Sequence, residues 1–278
     1  MRERSPGPRS EAALKPFLRA LSLLGLALVP VVHAAPNPAG VDLRWSNCIA
    51  DGGTGNRSFA CNANAGVDVL VCSYQTDAPI VNVNGAELTV DIRVDASALP
   101  LWWQFKNTGT CRNTALAMNL VANPAWVNCV DQWGGQAAGG IGLYGIGFLA
   151  ANMARIRAAA AVPLSALFDV FPGNEYFVAN FTISHTKTVG TGACSGCTTR
   201  ACILFAKLVV TTSGGAGDRT FTQPKDGNVS HWVGWQGGVA SNPQIVCDAD
   251  GCNYQFGCIV PPVATRAASW GALKDLYR

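Results

Sequence analysis

Several stretches of the chain alternate apolar and polar residues with a period of two, the pattern of β-strands that bury one face. The clearest case spans residues 88–95, where Leu, Val, Ile and Val alternate with Thr, Asp, Arg and Asp. Residues 177–184 follow the same pattern, whereas residues 201–210 are almost continuously apolar, which is typical of a strand buried on both faces. We therefore predict an all-β protein, an antiparallel β-sandwich with Greek-key or jelly-roll connections.

Residues 175–212 are predicted to form the centre of this sandwich, as a long antiparallel hairpin with three cysteines near its tip. An Asn-Gly pair at positions 84 and 85 predicts a hairpin turn before the strand at 88–94. The glycine-rich, uncharged stretch 134–154 is predicted to be a surface loop. Further strands are predicted at residues 41–45, 67–74, 101–105, 152–162, 219–222 and 229–235, and a cysteine-rich loop at residues 247–258.

Both ends of the chain differ from this pattern. Residues 1–34 carry a basic head, an apolar run over 20–32 and small residues at their end, which predicts a secretory signal peptide. The apolar run is shorter than a bilayer requires, so no stable membrane span is predicted. Residues 263–278 predict a C-terminal tail helix, because apolar residues recur there at spacings of three and four. The sandwich domain is accordingly placed at residues 35–262.

Removal of the predicted signal peptide leaves the chain electrically neutral. The 278-residue chain has a formal net charge of +3, and residues 1–34 contain five basic and two acidic residues. The remaining part therefore has equal numbers of basic and acidic residues. A neutral chain has no electrostatic basis for binding phosphate backbones, so nucleic acid is not an expected partner.

All 11 cysteines follow the predicted signal peptide, which indicates an oxidising compartment and disulfides rather than free thiols. Cys72 lies within a strand and is predicted to be a free, buried thiol. Cys48–Cys61 and Cys111–Cys129 are predicted to be local pairs. The remaining two triplets would each hold one internal bridge and share a bridge between the central hairpin and the last loop. The cysteines predicted to be oxidised are Cys48, Cys61, Cys111, Cys129, Cys194, Cys197, Cys202, Cys247, Cys252 and Cys258.

Two segments have spacings that resemble metal sites. Cys194 and Cys197 form a Cys-x-x-Cys pair, which could be a redox dithiol or, with His185 and Cys202, a zinc site. Disulfides are favoured, because no second Cys-x-x-Cys exists and an oxidising compartment competes for the sulfurs. Residues 248–253 are rich in oxygen ligands but lack the glycine and glutamate positions of an EF-hand. No metal or cofactor is predicted, and calcium binding at residues 248–253 is left open.

Residues suited to catalysis are scarce after the predicted signal peptide. Two histidines, His185 and His231, are present there, and no serine lies in a Gly-x-Ser-x-Gly sequence. A glycosidase could instead act through two aspartates. The aspartates retained for that role are Asp91, Asp95, Asp131 and Asp169. The first two occupy polar positions of an alternating strand and are predicted to face solvent, so no catalytic residue is assigned.

Tryptophan provides the remaining signal for a binding site, with eight residues in the chain. Adjacent residues of a strand point to opposite faces, so Trp102 and Trp103 cannot both enter one core. The same parity separates Trp232 from Trp235, and Trp235 shares its face with apolar neighbours. We therefore predict that Trp232, beside His231, and either Trp102 or Trp103 line a surface that binds carbohydrate or a protein.

The chain ends in Ser-Trp-Gly-Ala-Leu-Lys-Asp-Leu-Tyr-Arg at residues 269–278. This ending resembles the Trp-Gly-x-x-Lys-x-Leu-Tyr-Arg terminus of exported bacterial β-sandwich proteins with no assigned function, and a looser similarity covers residues 194–202 and 235–238. The resemblance implies a bacterial exported protein and brings no catalytic residue with it. We predict a secreted, periplasmic or cell-surface protein that serves as a non-enzymatic binding or surface-assembly module. The alternative is a secreted hydrolase that acts on polysaccharides.

Overall fold

The computed structural model describes the central part of the chain. The described residues are 39–223, 230–248 and 251–259, with the backbone alone described at 240–248, 251–257 and 259. The predicted signal peptide at 1–34 and the predicted tail helix at 263–278 lie outside these residues. Within the described ranges, no helix has the length and hydropathy of a membrane span.

The described residues are mainly β-structure, which confirms the predicted all-β class. They form fifteen strands and three short 3₁₀ helices. The strands are β1 Gly40–Trp45, β2 Asn56–Arg57, β3 Val67–Gln75, β4 Ile80–Val94, β5 Leu116–Asn119, β6 Cys129–Asp131, β7 Ala138–Ile146, β8 Met153–Ala161, β9 Phe168–Val170, β10 Glu175–Ser184, β11 Ala201–Thr212, β12 Arg219–Phe221, β13 Trp232–Trp235, β14 Val239–Asp248 and β15 Gly251–Ile259. The 3₁₀ helices are Ile49–Asp51, Leu101–Trp103 and Leu164–Ala166.

Two sheets hold most of these strands. The larger has eight strands in the order β2-β13-β11-β4-β8-β7, with β12 beside β11 and β9 beside β4. The smaller has five strands in the order β1-β3-β10-β5, and β6 pairs with β10 in parallel. Apolar side chains from both sheets form one buried cluster, so the sheets pack face to face as a sandwich. β14 and β15 form a separate antiparallel pair.

β10 and β11 are strands but not a hairpin, which corrects the prediction for residues 175–212. β10 pairs with β3 and β5 in the smaller sheet, and β11 pairs with β4 and β13 in the larger sheet. The chain crosses from one sheet to the other between Ser184 and Ala201. The alternation of residues specifies which face of a strand is buried but does not identify its neighbour, so both arrangements fit the same sequence.

The predicted hairpin turn at Asn84 and Gly85 is also wrong, because both residues lie inside β4. Gly85 is paired with Ala161 on one side and with Thr211 on the other. A Cβ atom at Gly85 would lie only 2.8 Å from the carbonyl oxygen of Ala160. The glycine is therefore required by close strand packing rather than by a turn.

Three further segments differ from their predictions. Residues 101–105 contain the 3₁₀ helix Leu101–Trp103, which follows Pro100 directly. The stretch 134–154 includes strand β7, because the backbone of β8 supplies hydrogen-bond partners that do not depend on side chains. The described part of the predicted cysteine-rich loop, residues 247–248 and 251–258, belongs to the β14–β15 pair. In contrast, β8 confirms the choice of strand over helix for residues 152–162.

Aromatic rings fill the middle of the core around Trp235. Its ring centroid lies 5.2 Å from that of Trp102, 5.7 Å from that of Trp103 and 5.9 Å from that of Trp45. The guanidinium of Arg112 lies 3.7 Å from the Trp102 ring centroid and donates to three backbone carbonyl oxygens. Burial lowers the pKa of Arg112 to about 9.

Four disulfides cross-link the described residues, which confirms disulfide bonding but not the predicted pairing. The bonds are Cys48–Cys129, Cys61–Cys197, Cys111–Cys194 and Cys202–Cys258. The predicted local pairs Cys48–Cys61 and Cys111–Cys129 are wrong, as is a bridge within the triplet of Cys194, Cys197 and Cys202. The sequence separations of the observed pairs run from 56 to 136 residues, because the sandwich brings distant segments together.

The remaining cysteines divide into one described and two undescribed side chains. Cys72 is a buried free thiol in β3, and burial raises the pKa of this thiol. The bond between Cys202 and Cys258 joins β11 to β15, in agreement with the predicted bridge between the central segment and the last cysteine triplet. The side chains of Cys247 and Cys252 lie outside the described residues.

Candidate functional site

The tryptophan surface predicted from the sequence is not present. Trp102 and Trp103 are both 0% exposed, and His231 is 1% exposed. The parity argument fails for the first two because they lie in a 3₁₀ helix, where successive side chains do not alternate between two faces. Trp232 is partly buried and packs against a small apolar cluster that includes Leu204. These residues therefore do not form the binding surface that the sequence predicted.

A concave region instead lies on the outer face of the eight-stranded sheet, the face turned away from the five-stranded sheet. It encloses about 300 Å³, the lower end of the range for small-molecule sites. We call it the sheet-face cleft. Strands β4, β7, β8 and β11 supply its lining, which is Glu87, Leu88, Thr89, Gly140, Gly142, Arg155, Arg157, Ala158, Ala159, Lys207 and Val209.

Strand register places the polar residues of the cleft in one row. Thr89 of β4 is opposite Arg157 of β8 and opposite Lys207 of β11. Residues directly opposite each other in neighbouring strands point to the same face. Two residues before Thr89 on the same face of β4, Glu87 is opposite Ala159 of β8. The alternation within each strand therefore collects these side chains on the outer face.

Asp91 and Arg155 form a buried ion pair beside this row. Arg155 donates from Nε to Oδ1 of Asp91 at 2.7 Å and from Nη2 to Oδ2 at 2.8 Å. Their side chains are 0% and 2% exposed, so Asp91 does not face solvent as predicted. Burial raises the pKa of the Asp91 carboxyl group, and the neighbouring guanidinium groups of Arg155 and Arg157 oppose that rise.

The other charged groups of the cleft leave it with an excess of positive charge. Arg157 and Glu87 are exposed, and Lys207 is partly buried. Within the described part of the chain, no carboxylate lies within salt-bridge distance of Arg157 or Lys207. The exposed ring of Phe148 lies 4.9 Å from Cζ of Arg155 and 5.9 Å from Cζ of Arg157. An anionic ligand would therefore meet two available cations and an aromatic ring.

Two glycines of β7 keep the floor of the cleft free of side chains. A Cβ atom at Gly140 would meet nothing within 4 Å, and one at Gly142 would meet only the Arg157 carbonyl oxygen, at 3.8 Å. Packing therefore does not require glycine at either position, in contrast to Gly139, whose Cβ would lie 2.1 Å from the Ala159 carbonyl oxygen. Glycine weakens a strand but allows a ligand to approach the backbone closely.

The aspartates retained for hydrolysis do not converge on the cleft. Glu87 and Asp91 lie on the same face of β4, four residues or about 13 Å apart along the strand. Asp95 is on the surface, 3.9 Å from Arg200. The two others accept hydrogen bonds from backbone N–H groups near them: Asp131 from Trp133 and Asp169 from Asn82.

The cysteine-based metal sites considered from the sequence are absent from the described residues. Cys194, Cys197 and Cys202 belong to three different disulfides, and Nε2 of His185 lies 2.7 Å from Oδ2 of Asp68. Another group of potential ligands is formed by Cys48, Cys129 and Glu175, but its two sulfurs are bonded to each other. Calcium binding at residues 248–253 concerns side chains outside the described residues.

Comparisons with known proteins give one weak structural resemblance. No protein-family model matches this sequence, and no curated protein is significantly similar to it. Among solved structures, the fold resembles the second type II cohesin module from the cellulosomal adaptor ScaA scaffoldin of Acetivibrio cellulolyticus. The TM-score is 0.33 at 7% sequence identity, over 68% of this chain and 92% of that chain. A resemblance at this level carries no argument about function.

Two features of the sequence point to the cleft when they are considered together. Arg155 and Arg157 alternate with apolar residues, and the uncharged stretch before them is rich in glycine. The first feature indicates a cationic strand face, and the second indicates space beside it. Their meeting depends on the pairing of β7 with β8, which neither feature specifies alone.

Proposed function

We propose that this protein is an exported, non-enzymatic binding module, and that its ligand is an anionic group bound in the sheet-face cleft. The observation that carries this proposal is the pair of cations, Arg157 and Lys207, beside an open floor at Gly140 and Gly142. An arginine guanidinium is planar and suits bidentate binding of a carboxylate or sulfate. The neighbouring Phe148 adds an exposed aromatic face.

The disulfides support the exported part of the proposal. Four disulfides are characteristic of proteins that mature outside the reducing cytosol. The signal peptide at residues 1–34 stays a prediction, and so do the bacterial origin and the C-terminal resemblance. A binding module at a cell surface or in the surrounding medium is consistent with a sandwich held by covalent cross-links.

Hydrolysis of a polysaccharide is the competing function. A glycosidase needs two carboxyl groups on either side of the scissile bond, about 5–10 Å apart. Glu87 lines the cleft and is exposed, whereas Asp91 is not among the lining residues and both of its oxygens accept hydrogen bonds from Arg155. The cleft therefore supplies one available carboxylate among its described residues, and this favours binding over hydrolysis.

A retention experiment tests the proposed function. The purified protein is passed over immobilised poly-L-glutamate, polygalacturonate and neutral dextran, and reducing ends are measured in the eluate. We expect retention on at least one acidic probe, weaker retention at higher salt and no release of reducing ends. Equal retention on dextran, or no retention on either acidic probe, would contradict the proposal, and release of reducing ends would favour the hydrolase.

Substitution of the two cations provides the matched control. The variant with Arg157→Ala and Lys207→Ala should bind the acidic probe at least about ten-fold more weakly, because it loses two charge-assisted contacts. Arg219→Ala removes a cation from the same sheet, outside the cleft, and should leave retention unchanged. Equal binding by wild type and the double variant would place the anion site elsewhere.

A further inference from the structure

The eight-stranded sheet ends in β7 next to the sheet-face cleft, and β5 of the other sheet lies close to this strand without pairing with it. β7 is the terminal strand of that sheet and is paired with β8 on one side alone among the described strands. Its nine residues include no charged residue and no proline. Natural edge strands are usually protected by such residues, because unpaired backbone N–H and C=O groups attract other strands. This edge carries neither form of protection, and its one irregularity is a bulge between Ile141 and Leu143.

The two faces of β7 have different characters. On the outer face, Gly140 is opposite Ala159, and Leu143 is opposite Arg157. Leu143 is 44% exposed. On the inner face, Ile141 and Tyr144 are opposite the buried Ala158 and Ile156. A strand added to this edge would therefore meet a cationic cleft on one face and apolar groups on the other.

We propose that an extended acidic segment of a partner protein adds to β7 as a further strand of the sheet. Its carboxylates would lie on the outer face and extend across Gly140 and Gly142 to Arg157. Its alternate apolar side chains would lie on the inner face, beside Ile141. This inference rests on the proposed function, because it identifies the anion of the sheet-face cleft as a carboxylate of a protein partner.

The spacing of a β-sheet agrees with this arrangement. Neighbouring strands lie about 5 Å apart, so an added strand would lie about 10 Å from β8. Extended arginine and glutamate side chains together span that distance. Gly140 and Gly142 put no side chain on the intervening surface, so a glutamate of the added strand would reach Arg157 over these glycines and beside Leu143.

The open backbone edge favours a protein over an acidic polysaccharide as the partner. Strand addition obtains its affinity from main-chain hydrogen bonds and its specificity from alternate side chains. A polysaccharide could supply carboxylates to Arg157, but it has no regular row of amides to pair with β7. A polypeptide can form backbone hydrogen bonds with the edge of β7 and place carboxylates in the cleft at the same time.

Peptides with blocked edges test strand addition directly. The probe is a peptide of four Val-Glu repeats with blocked ends, and its matched control has glutamine in place of glutamate. Two further peptides carry N-methyl groups on every glutamate or on every valine. Successive backbone N–H groups of a strand point to opposite edges, so each methylation pattern blocks one edge without changing the side chains.

Binding of these peptides to the purified protein would be measured by isothermal titration calorimetry. We expect the Val-Glu peptide to bind at least about ten-fold more tightly than the glutamine peptide. We also expect one methylation pattern to weaken binding at least about ten-fold and the other to have little effect. Arg157→Ala should reduce the affinity for the Val-Glu peptide to that for the glutamine peptide, whereas Arg219→Ala should not.

Three results would contradict the inference, and they distinguish it from the proposed function. If both methylated peptides bind as tightly as the unmodified one, the edge of β7 is not used. If polygalacturonate binds through Arg157 and the peptides do not bind, strand addition is wrong while the proposed function stands. If neither the peptides nor any acidic probe binds, both proposals are wrong.

Discussion

Asp91 and Arg155 bury two opposite charges on a sheet face that normally contacts water. Removal of an ion from water costs several kcal/mol, and a good partner offsets most of that cost. Here the two side chains share a bidentate contact with distances of 2.7 and 2.8 Å. The pair therefore adds little net stability, but either residue without the other would be expensive to bury.

The ion pair gives a prediction at the scale of single residues. Asp91→Ala should lower the free energy of unfolding by about 3–5 kcal/mol, because Arg155 loses its counter-charge in a buried position. The joint variant Asp91→Leu with Arg155→Leu should be about as stable as wild type or more stable. Urea unfolding followed by fluorescence would measure both.

An exposed ion pair provides the control for that prediction. Asp95 lies 3.9 Å from Arg200 on the surface, so Asp95→Ala should cost less than about 1 kcal/mol. Similar small losses for Asp91→Ala and Asp95→Ala would contradict the account of the buried pair.

The alternation of residues predicted the face of Asp91 correctly but not its burial. Burial on an outer sheet face depends on long side chains from the next strand, here Arg155 with Phe148 over it. The prediction for Trp102 failed for a different reason, because a single turn of 3₁₀ helix replaced the expected strand. Period-two reasoning applies to a residue only after the element that contains it is known.

At the scale of elements, β7 is fixed to the core mainly by Tyr144, while Ile141 and Ile146 pack against the core from partly buried positions. Tyr144 is the one buried residue of β7, and its hydroxyl group donates a hydrogen bond to the carbonyl oxygen of Trp103. Its ring centroid lies 5.5 Å from that of Phe105. Burial raises the pKa of Tyr144, because the phenolate form would be charged in an apolar environment.

The raised pKa of Tyr144 predicts a loss of stability at alkaline pH. Above about pH 10 the unfolded chain releases the tyrosine proton and the folded protein retains it. The stabilisation is thus complete below pH 10 and is lost as the pH rises, by about 1.4 kcal/mol per pH unit. In Tyr144→Phe, the free energy of unfolding should fall less steeply with pH above pH 10. The difference in slope should correspond to one proton, about 1.4 kcal/mol per pH unit.

Tyr74 provides a parallel variant for this measurement. Burial also raises its pKa, so Tyr74→Phe should lower the slope by the same amount, and the two changes should add. Arg112 also titrates in this range and interacts electrostatically with Tyr144, so its contribution cancels in the comparison of wild type with Tyr74→Phe but not fully in that with Tyr144→Phe. An unchanged slope in both variants would mean that the phenols titrate alike in the folded and unfolded states.

The prediction of a loop at residues 134–154 shows that local composition alone does not determine whether a segment forms a strand. Four glycines within β7 argue against a strand when that segment is considered alone. The strand is formed nonetheless, because β8 offers backbone partners on both sides of a bulge at Gly142 and Tyr144 enters the core. Such pairing is a property of two elements and has no signature within either one.

At the scale of the whole molecule, the sequence predicts the structural class correctly but does not predict which strands and cysteines are paired. Alternation and cysteine content predicted an all-β, disulfide-bonded protein, and both predictions are confirmed. The assignment of β10 and β11 to different sheets was not predictable from their sequences. The disulfides were mispaired for the same reason, since Cys61 and Cys197 are 136 residues apart and meet only in the folded sandwich.

The central claim is that the sheet-face cleft is the binding site, and filling it tests this claim most directly. Gly142→Leu places a side chain in the cleft, where the nearest atom to its Cβ would be 3.8 Å away, so the fold should be retained. Gly55→Leu adds the same side chain at an exposed position outside the cleft, where a Cβ meets nothing within 4 Å.

The decisive measurement is the affinity of wild type and both glycine variants for poly-L-glutamate, or for polygalacturonate if that probe is the one retained. Melting temperatures recorded on the same samples would verify that each variant is folded. The account predicts that Gly142→Leu lowers the affinity at least about ten-fold and that Gly55→Leu does not. A folded Gly142→Leu protein that binds the acidic probe as tightly as wild type would contradict it.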